Sequence, residues 1–369
     1  MAFLRRLFLP FLIVAANAQE QRWKVNYFFD QADSTFEIRG MQFPSDQRGL
    51  AFGVISSTKE KEKPVVLITS NGGAKWTEVL LKEHPVALSC VGDSQCWLAT
   101  DRGIWKSEES GRDWKKLKKM DGLIAIHFNS AKVGYAAGYP KAVWKTADGG
   151  LTWTALADSK KIEANAETSS FEVIAQNGNK MMIIGASRPK RRDASLFPDW
   201  MEPERASSRM EWPALTLMLD SGNDGATWNA TSASLFGHIQ SVILKDTFGI
   251  SLLVHEQSFA VPSEVMLINY AGGKTTALYR EKDRAISSVY AENNKHVVIG
   301  GVEALGSFRA NPIPSKVHIL QGTISENNKI IWLEMPVDYR AVARRVVVAG
   351  SPSGKLWAAT DNGMILEWK

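Results

Sequence analysis

The sequence predicts an all-β fold, a seven-bladed β-propeller closed by pairing of its N- and C-terminal strands. Three observations predict it: a turn motif recurs four times, glycine-bounded strands precede it, and the two chain ends complete one sheet between them. The turns are Thr69-Ser70-Asn71-Gly72-Gly73-Ala74-Lys75-Trp76, Ser107-Glu108-Glu109-Ser110-Gly111-Arg112-Asp113-Trp114, Thr146-Ala147-Asp148-Gly149-Gly150-Leu151-Thr152-Trp153 and Ser221-Gly222-Asn223-Asp224-Gly225-Ala226-Thr227-Trp228. Their tryptophans stand 38, 39 and 75 residues apart. A spacing of about 40 residues is that of propeller blades. The third interval is nearly double, which an inserted loop explains, with or without a blade lacking the motif.

Each element of the repeat has a physical reason. The third-position residues Asn71, Glu109, Asp148 and Asn223 are suited to accept hydrogen bonds from the turn's own N–H groups. Gly73, Gly111, Gly150 and Gly225 supply a left-handed backbone that other residues adopt only at a cost. Trp76, Trp114, Trp153 and Trp228 open the next strand and cover the neighbouring apolar layer. An apolar strand comes before the turn, as in Val65 to Ile68, Ile104-Trp105-Lys106 and Ala142 to Lys145. Upstream lies a strand bounded by glycines, Gly49-Leu50-Ala51-Phe52-Gly53 and again Gly134-Tyr135-Ala136-Ala137-Gly138.

Degenerate turns at Asn269 to Thr276 and Thr323 to Trp332 bring the count to six. Lys355 to Trp368 then supplies inner strands without a last one, and Arg22-Trp23-Lys24-Val25-Asn26-Tyr27 reads as the missing outer strand. Closure matters because a blade buries its faces only against its neighbours. Seven blades follow, with six or eight as the alternatives.

The four turns resemble Asp-box repeats, also called bacterial neuraminidase repeats. The surrounding strands, such as Lys132-Val133-Gly134-Tyr135-Ala136-Ala137-Gly138 running into Thr146 to Trp153, are similar to those of the photosystem II stability and assembly factor family. The resemblance covers most of the chain and is strongest from Phe36 to Leu156. It implies an exported seven-bladed propeller without catalytic activity, whose partner-binding surface is rich in arginine. It matches no individual arginine of this sequence.

Composition bounds the rest. Of the 369 residues, 44% are apolar and 22% charged, fractions that exclude disorder and a disulfide-stapled miniprotein. Arg5 and Arg6, an apolar stretch from Leu7 to Ala16 and the small-residue site Ala16-Asn17-Ala18 read as a secretory signal over residues 1–18. The domain then occupies residues 19–369. Arg5-Arg6-Leu7-Phe8-Leu9 also resembles a twin-arginine signal, and no Cys follows the cleavage site to anchor a lipid. Without Arg5 and Arg6 the 44 Lys and Arg become 42 against 39 Asp and Glu, a formal charge of +3. So even a balance argues against nucleic acid as the partner. Cys90 and Cys96 are placed symmetrically about Asp93 in a hairpin, and an oxidising compartment would keep them paired. The expected location is therefore periplasmic, lumenal or extracellular, and the expected state a monomer.

Candidate binding residues are basic. Blade four carries an insertion at about 187–212, with Arg188, Lys190, Arg191 and Arg192 as a cluster, matched in density by Lys115-Lys116-Leu117-Lys118-Lys119. A solvated face explains both clusters as well as docking on an acidic protein segment or membrane surface does. Trp200 and Trp212 flank Glu202 and Glu204 in the same insertion. Arg340, Arg344 and Arg345 lie at the start of the last blade, and Arg39 has a similar place in the first; the innermost strand of a blade borders the central channel.

Catalytic readings lack their constellations. Carboxylates such as Asp30, Asp33 and Glu37 form no readable pair across a glycosidic bond. The six histidines (His84, His127, His238, His255, His296 and His318) show no metal-ligand spacing, and neither a phosphate loop nor a nucleophile elbow is present. No metal and no cofactor are therefore expected. Two functions remain. One is a non-enzymatic propeller that binds an exported protein or membrane-protein segment; the other is a carbohydrate-active propeller, hydrolase, sialidase-like or lectin, that binds polysaccharide.

Overall fold

Runs of five to ten residues in this chain bury alternate side chains, as in Ser169–Asn177, where Ser169, Phe171, Val173 and Ala175 are inside. That period of two is the signature of a strand with one face packed more deeply than the other, whereas a strand such as Gly134–Gly138, packed on both faces, is buried throughout. The computed structural model describes residues 21–188, 213–255, 261–270, 274–293, 295–303, 315–325, 329–337 and 342–369. The leader 1–18, Lys190, Arg191, Arg192, Trp200, Glu202, Glu204, Trp212 and Arg340 lie outside the described residues.

The first strand, β1 (Trp23–Phe28), waits for the last. Blade 1 comprises β2 (Ser34–Gln42), β3 (Gly49–Ser57), β4 (Lys63–Thr69) and β5 (Thr77–Leu80). Blade 2 comprises β6 (Pro85–Val91), β7 (Gln95–Thr100), β8 (Gly103–Ser107) and β9 (Lys115–Lys119), and blade 3 β10 (Leu123–Phe128), β11 (Gly134–Gly138), β12 (Ala142–Thr146) and β13 (Thr154–Ala155). Blade 4 comprises β14 (Ser169–Asn177), β15 (Lys180–Ser187), β16 (Pro213–Ser221) and β17 (Asn229–Phe236). The long interval between Trp153 and Trp228 thus holds no extra blade: its surplus lies mainly in the connection from β15 to β16 and in the connection from β13 to β14, which carries two short 3-10 turns.

Blade 5 comprises β18 (His238–Leu244), β19 (Phe248–Val254), β20 (Ser263–Asn269) and β21 (Lys274–Arg280). Blade 6 comprises β22 (Arg284–Ala291), β23 (His296–Glu303), β24 (Ser315–Ile324) and β25 (Ile330–Glu334), with β26 (Val342–Ala343) beside β24. Blade 7 comprises β27 (Val346–Gly350), β28 (Leu356–Thr360) and β29 (Met364–Trp368), and β1 completes it as the outermost strand, Trp23 opposite Trp368 and Phe28 opposite Met364. Seven blades closed by the chain ends are what the repeat count predicts.

The core lies between blades. Trp23 is fully buried among Val298 and Val317 of blade 6 and Val346 and Leu366 of blade 7. Phe36, Ile38 and Leu67 of blade 1 join Trp357 and Ile365 of blade 7 in the next layer. An aromatic clamp repeats across two seams. Trp357 stacks on Phe43 with centroids 4.7 Å apart and Trp76 meets Phe43 edge-on; Trp97 stacks on Phe128 and Trp153 meets Phe128 edge-on. Each clamp joins the second strand of one blade to the first-strand end and turn tryptophan of the next. A Cβ on Gly49 or Gly134 would fall 2.3 and 2.6 Å from the Phe43 and Phe128 rings, which explains the glycine opening those strands.

Candidate functional site

The four repeated turns carry one hydrogen-bond pattern. In each, the Gly N–H donates to the hydroxyl four residues before it: Gly73 to Thr69, Gly111 to Ser107, Gly150 to Thr146 and Gly225 to Ser221, at 2.8–3.0 Å. The residue before that Gly donates its N–H to the first hairpin of the same blade, Gly72 to Gln47, Ser110 to Ser94, Gly149 to Lys132 and Asp224 to Asn179. Both residues are left-handed in all four turns. Asn71, Asp148 and Asn223 each accept the N–H four residues on, from Lys75, Thr152 and Thr227. The side-chain and backbone bonds of Thr152, with that of Thr146, hold the Asp148 carboxyl down at about 2.

Glu109 departs from expectation. Its carboxylate accepts none of the turn's N–H groups among the described residues; Asp113 instead accepts from Trp114 N. A glutamate is one methylene longer than the turn geometry accommodates. The turn tryptophans lie half-buried or buried, with Trp228 against Tyr135 and Trp76 donating to Asn26 Oδ1 at 2.8 Å. Apart from Glu109, these residues therefore have a bonding or packing role that holds turn to hairpin or blade to blade. Cys90 and Cys96 face each other across the blade 2 hairpin and form a disulfide.

The innermost strands present the candidate binding positions. Six of them carry a register shift, leaving Arg39, Val86, Ile124, Glu172, Gln240 and Ser287 unpaired against the second strand. These are β-bulges, one per blade in blades 1 to 6, and a bulge re-aims the side chain it carries. Opposite four of them the second strand has Gly53, Gly138, Gly185 or Gly301, where a Cβ would lie about 2 Å from a carbonyl of the first strand or, for Gly138, of Gly122 just before it. The glycine closing the strand motif is thus the mark of the bulge.

Strand alternation puts the four repeated turns on one face of the ring. Residues that precede an innermost strand, or end a second strand, lie on the other. Arg345 precedes β27, and its Nη2 reaches the carbonyls of Ile38 and Arg39 at 3.4 Å and Glu37 Oε1 at 4.0 Å. Arg39 Nη2 pairs with Glu37 at 3.0 Å. The seam between blades 7 and 1 therefore gathers two half-exposed guanidinium groups on one carboxylate. Arg344 and Arg345 both donate their backbone N–H to Asp361 Oδ1, which anchors the approach to β27.

The other predicted basic residues lie elsewhere. Arg188, directly after β15, is 3.9 Å from Glu172 on blade 4, three blades from that seam. A cavity of about 620 Å³ lies beside it, lined by Asn165, Glu167, Thr168, Ser187, Pro213, Leu215 and Ser234. Lys115 to Lys119 form β9, the outer edge of blade 2, where lysines block edge-to-edge pairing. Lys116 and the Trp105 indole N–H both bind Glu83, and these bonds outweigh the upward push of burial, leaving that carboxyl below the usual range.

Two of the carboxylate–imidazole groups escaped sequence reasoning because their members come from separate strands or connections. Glu62 and Asp101 flank His84 at 3.1 and 3.6 Å, and Glu303, His318 and Glu334 converge on blade 6. Glu37 was named in the sequence only as an unpaired acid; no local signal marks it as the partner of two arginines. Asp33 binds Lys59 at 2.6 Å.

No protein-family model matches the chain, and no curated protein matches it by sequence. Solved structures do match its fold. YCF48 bound to D1 peptide is similar at 12% identity over 95% of this chain and 96% of that one, with a TM-score of 0.60. YCF48 from Cyanidioschyzon merolae is similar at 13% identity over 94% and 98%, with a TM-score of 0.56. The extracellular domain of a one component system from B. thetaiotaomicron matches 94% of this chain with 39% of its own, at 8% identity and a TM-score of 0.54. At these identities the likenesses show the β-propeller fold and no more.

Proposed function

We propose that this chain is an exported, non-enzymatic, monomeric propeller that binds a segment of a protein partner at the channel mouth between blades 7 and 1. The observation that carries this reading is the convergence of Arg39 and Arg345 on the single carboxylate of Glu37. A guanidinium carries five N–H donors, more than these contacts use, and planar donors of this kind suit carboxylates and backbone carbonyls of a bound peptide. Arg344 adds charge at the same rim. The D1 peptide bound to YCF48, a propeller of similar fold, supports a peptide segment as the occupant. The Cys90–Cys96 bridge supports an oxidising compartment. The Asp-box identity of the four turns is supported by their common hydrogen-bond pattern, and those bonds give Asn71, Asp148 and Asn223 structural work in place of catalysis.

The test is affinity capture by residues 19–369 from detergent-solubilised membranes and cell-wall material of the source organism, followed by mass spectrometry and glycan analysis. A specific membrane protein should be recovered and lost from the Arg39→Glu, Arg345→Glu double variant, with the thermal transition unchanged. Recovery of polysaccharide alone would sink the reading, as would a protein retained equally by both chains.

A further inference from the structure

At the end of blade 6 opposite the repeated turns, three strands bring one side chain each to the sheet face that packs on blade 5. Glu303 ends β23, His318 lies on β24 and Glu334 ends β25, with one donor atom from each within 4.8 Å of the others. His318 is only 7% exposed, and its buried Nδ1 has no hydrogen-bond partner. That nitrogen is 3.4 Å from Glu303 Oε1. An imidazole nitrogen and a carboxylate oxygen that were simply hydrogen-bonded would close to about 2.7–2.9 Å in line.

We propose that Glu303, His318 and Glu334 form a binding site for a divalent transition metal of the zinc type. Two ligands at about 2.0–2.1 Å from a tetrahedral zinc are separated by about 3.3–3.4 Å, close to the 3.4 Å between His318 Nδ1 and Glu303 Oε1, whereas the octahedral angle of magnesium would require about 2.9 Å. A buried, partnerless imidazole nitrogen beside two carboxylates is the donor set such an ion needs. Arg284, the cross-strand partner of Glu303, lies 3.3 Å from the same Oε1 and would hold the carboxylate in place as an outer-shell donor. Three protein ligands leave one position for water. The ion would join three of the four strands of blade 6 and, through Arg284, the fourth. The site is independent of the partner reading, and its ligand spacing of 15 and 16 residues resembles no local metal motif because the sheet, not the chain, assembles it.

The test is calorimetric titration of untagged residues 19–369, stripped with a chelator, against Zn²⁺ and Mg²⁺, with Co²⁺ absorption as a second readout. One Zn²⁺ should bind per chain, Mg²⁺ should not bind at matched concentration, and Co²⁺ should give the visible bands of a tetrahedral site. Glu303→Gln and Glu334→Gln should weaken Zn²⁺ by at least about tenfold, and Glu334 is exposed enough for that variant to fold. His84→Gln should leave the affinity unchanged. Absence of saturable Zn²⁺ uptake by the wild type, or equal affinity in the wild type and Glu334→Gln, overturns the proposal.

Discussion

At Gly225 the backbone is left-handed, with φ of 72°, and a Cβ would sit 2.1 Å from the Tyr135 hydroxyl of the preceding blade. Both constraints act at once, so Gly225→Ala should cost about 1–3 kcal/mol in urea unfolding. Gly222, three residues earlier in the same turn, has open space around its Cβ position, and Gly222→Ala should change stability by less than about 0.5 kcal/mol. Equal losses at the two positions would refute this account of the turn. A second residue gives a pH signature. Burial pushes the His127 imidazole below its ordinary value, only partly offset by the neutral side chain of Gln176 at 2.9 Å. Because the unfolded chain then binds the extra proton more readily, this contribution is complete above about pH 6.5 and is lost as the pH falls toward the folded value. Thermal scans should show a transition that drops on mild acidification, and drops less in His127→Gln. The turn glycines and the cysteine pair were legible as single residues because their constraint is local. The isolation of Glu109 was not, since it depends on side-chain reach.

Among elements, the first strand does two jobs in blades 1 and 3. Its far end carries the aromatic of the clamp, and its near end carries the bulge. Phe128 is 3% exposed, stacked on Trp97 and met edge-on by Trp153. Phe128→Ala removes the shared member of that trio and should cost about 3–5 kcal/mol, read as a shift of the urea midpoint. A shift no larger than that of an exposed residue such as Leu80 would show that the clamp contributes little. The strand positions were visible in the alternation of apolar residues, and the bounding glycines were visible as a pattern. Their meaning was not: Gly49 and Gly134 admit a ring, while Gly53 and Gly138 face the carbonyls of Glu37 and Gly122. Both contacts lie between strands, and nothing in a strand's own residues states what its neighbour will press against it.

For the whole molecule, stability depends on the ring being closed. β1 contributes an edge to blade 7 and sends Trp23 into the layer between blades 6 and 7, where it is fully buried. A chain beginning at residue 29 exposes the apolar edge of β29 and opens that layer. It should lose its cooperative thermal transition or aggregate, and Trp23→Ala within the intact chain should cost about 3–5 kcal/mol. Size-exclusion chromatography and calorimetry distinguish these outcomes from wild-type behaviour, which would mean that closure is dispensable. The complementarity of the ends was readable because Arg22 to Tyr27 has strand character and the last repeat lacks one strand. The burial of Trp23 between two blades was not readable, because one of them is formed by residues far along the chain.

The sequence by itself determined the repeat, the left-handed turn glycines and the disulfide pair, because each is encoded within about 40 consecutive residues and enforced by backbone conformation or by bonds across a few positions, while it left the blade count open by one. Only the tertiary structure decided which charges meet. Glu37 joins Arg39 locally, but Arg345 arrives from the other end of the chain, and Glu303, His318 and Glu334 share a sheet face through strand register alone. Register and ring closure are set by packing across the whole molecule, so the polar groupings they create leave no mark in the spacing of the residues that form them.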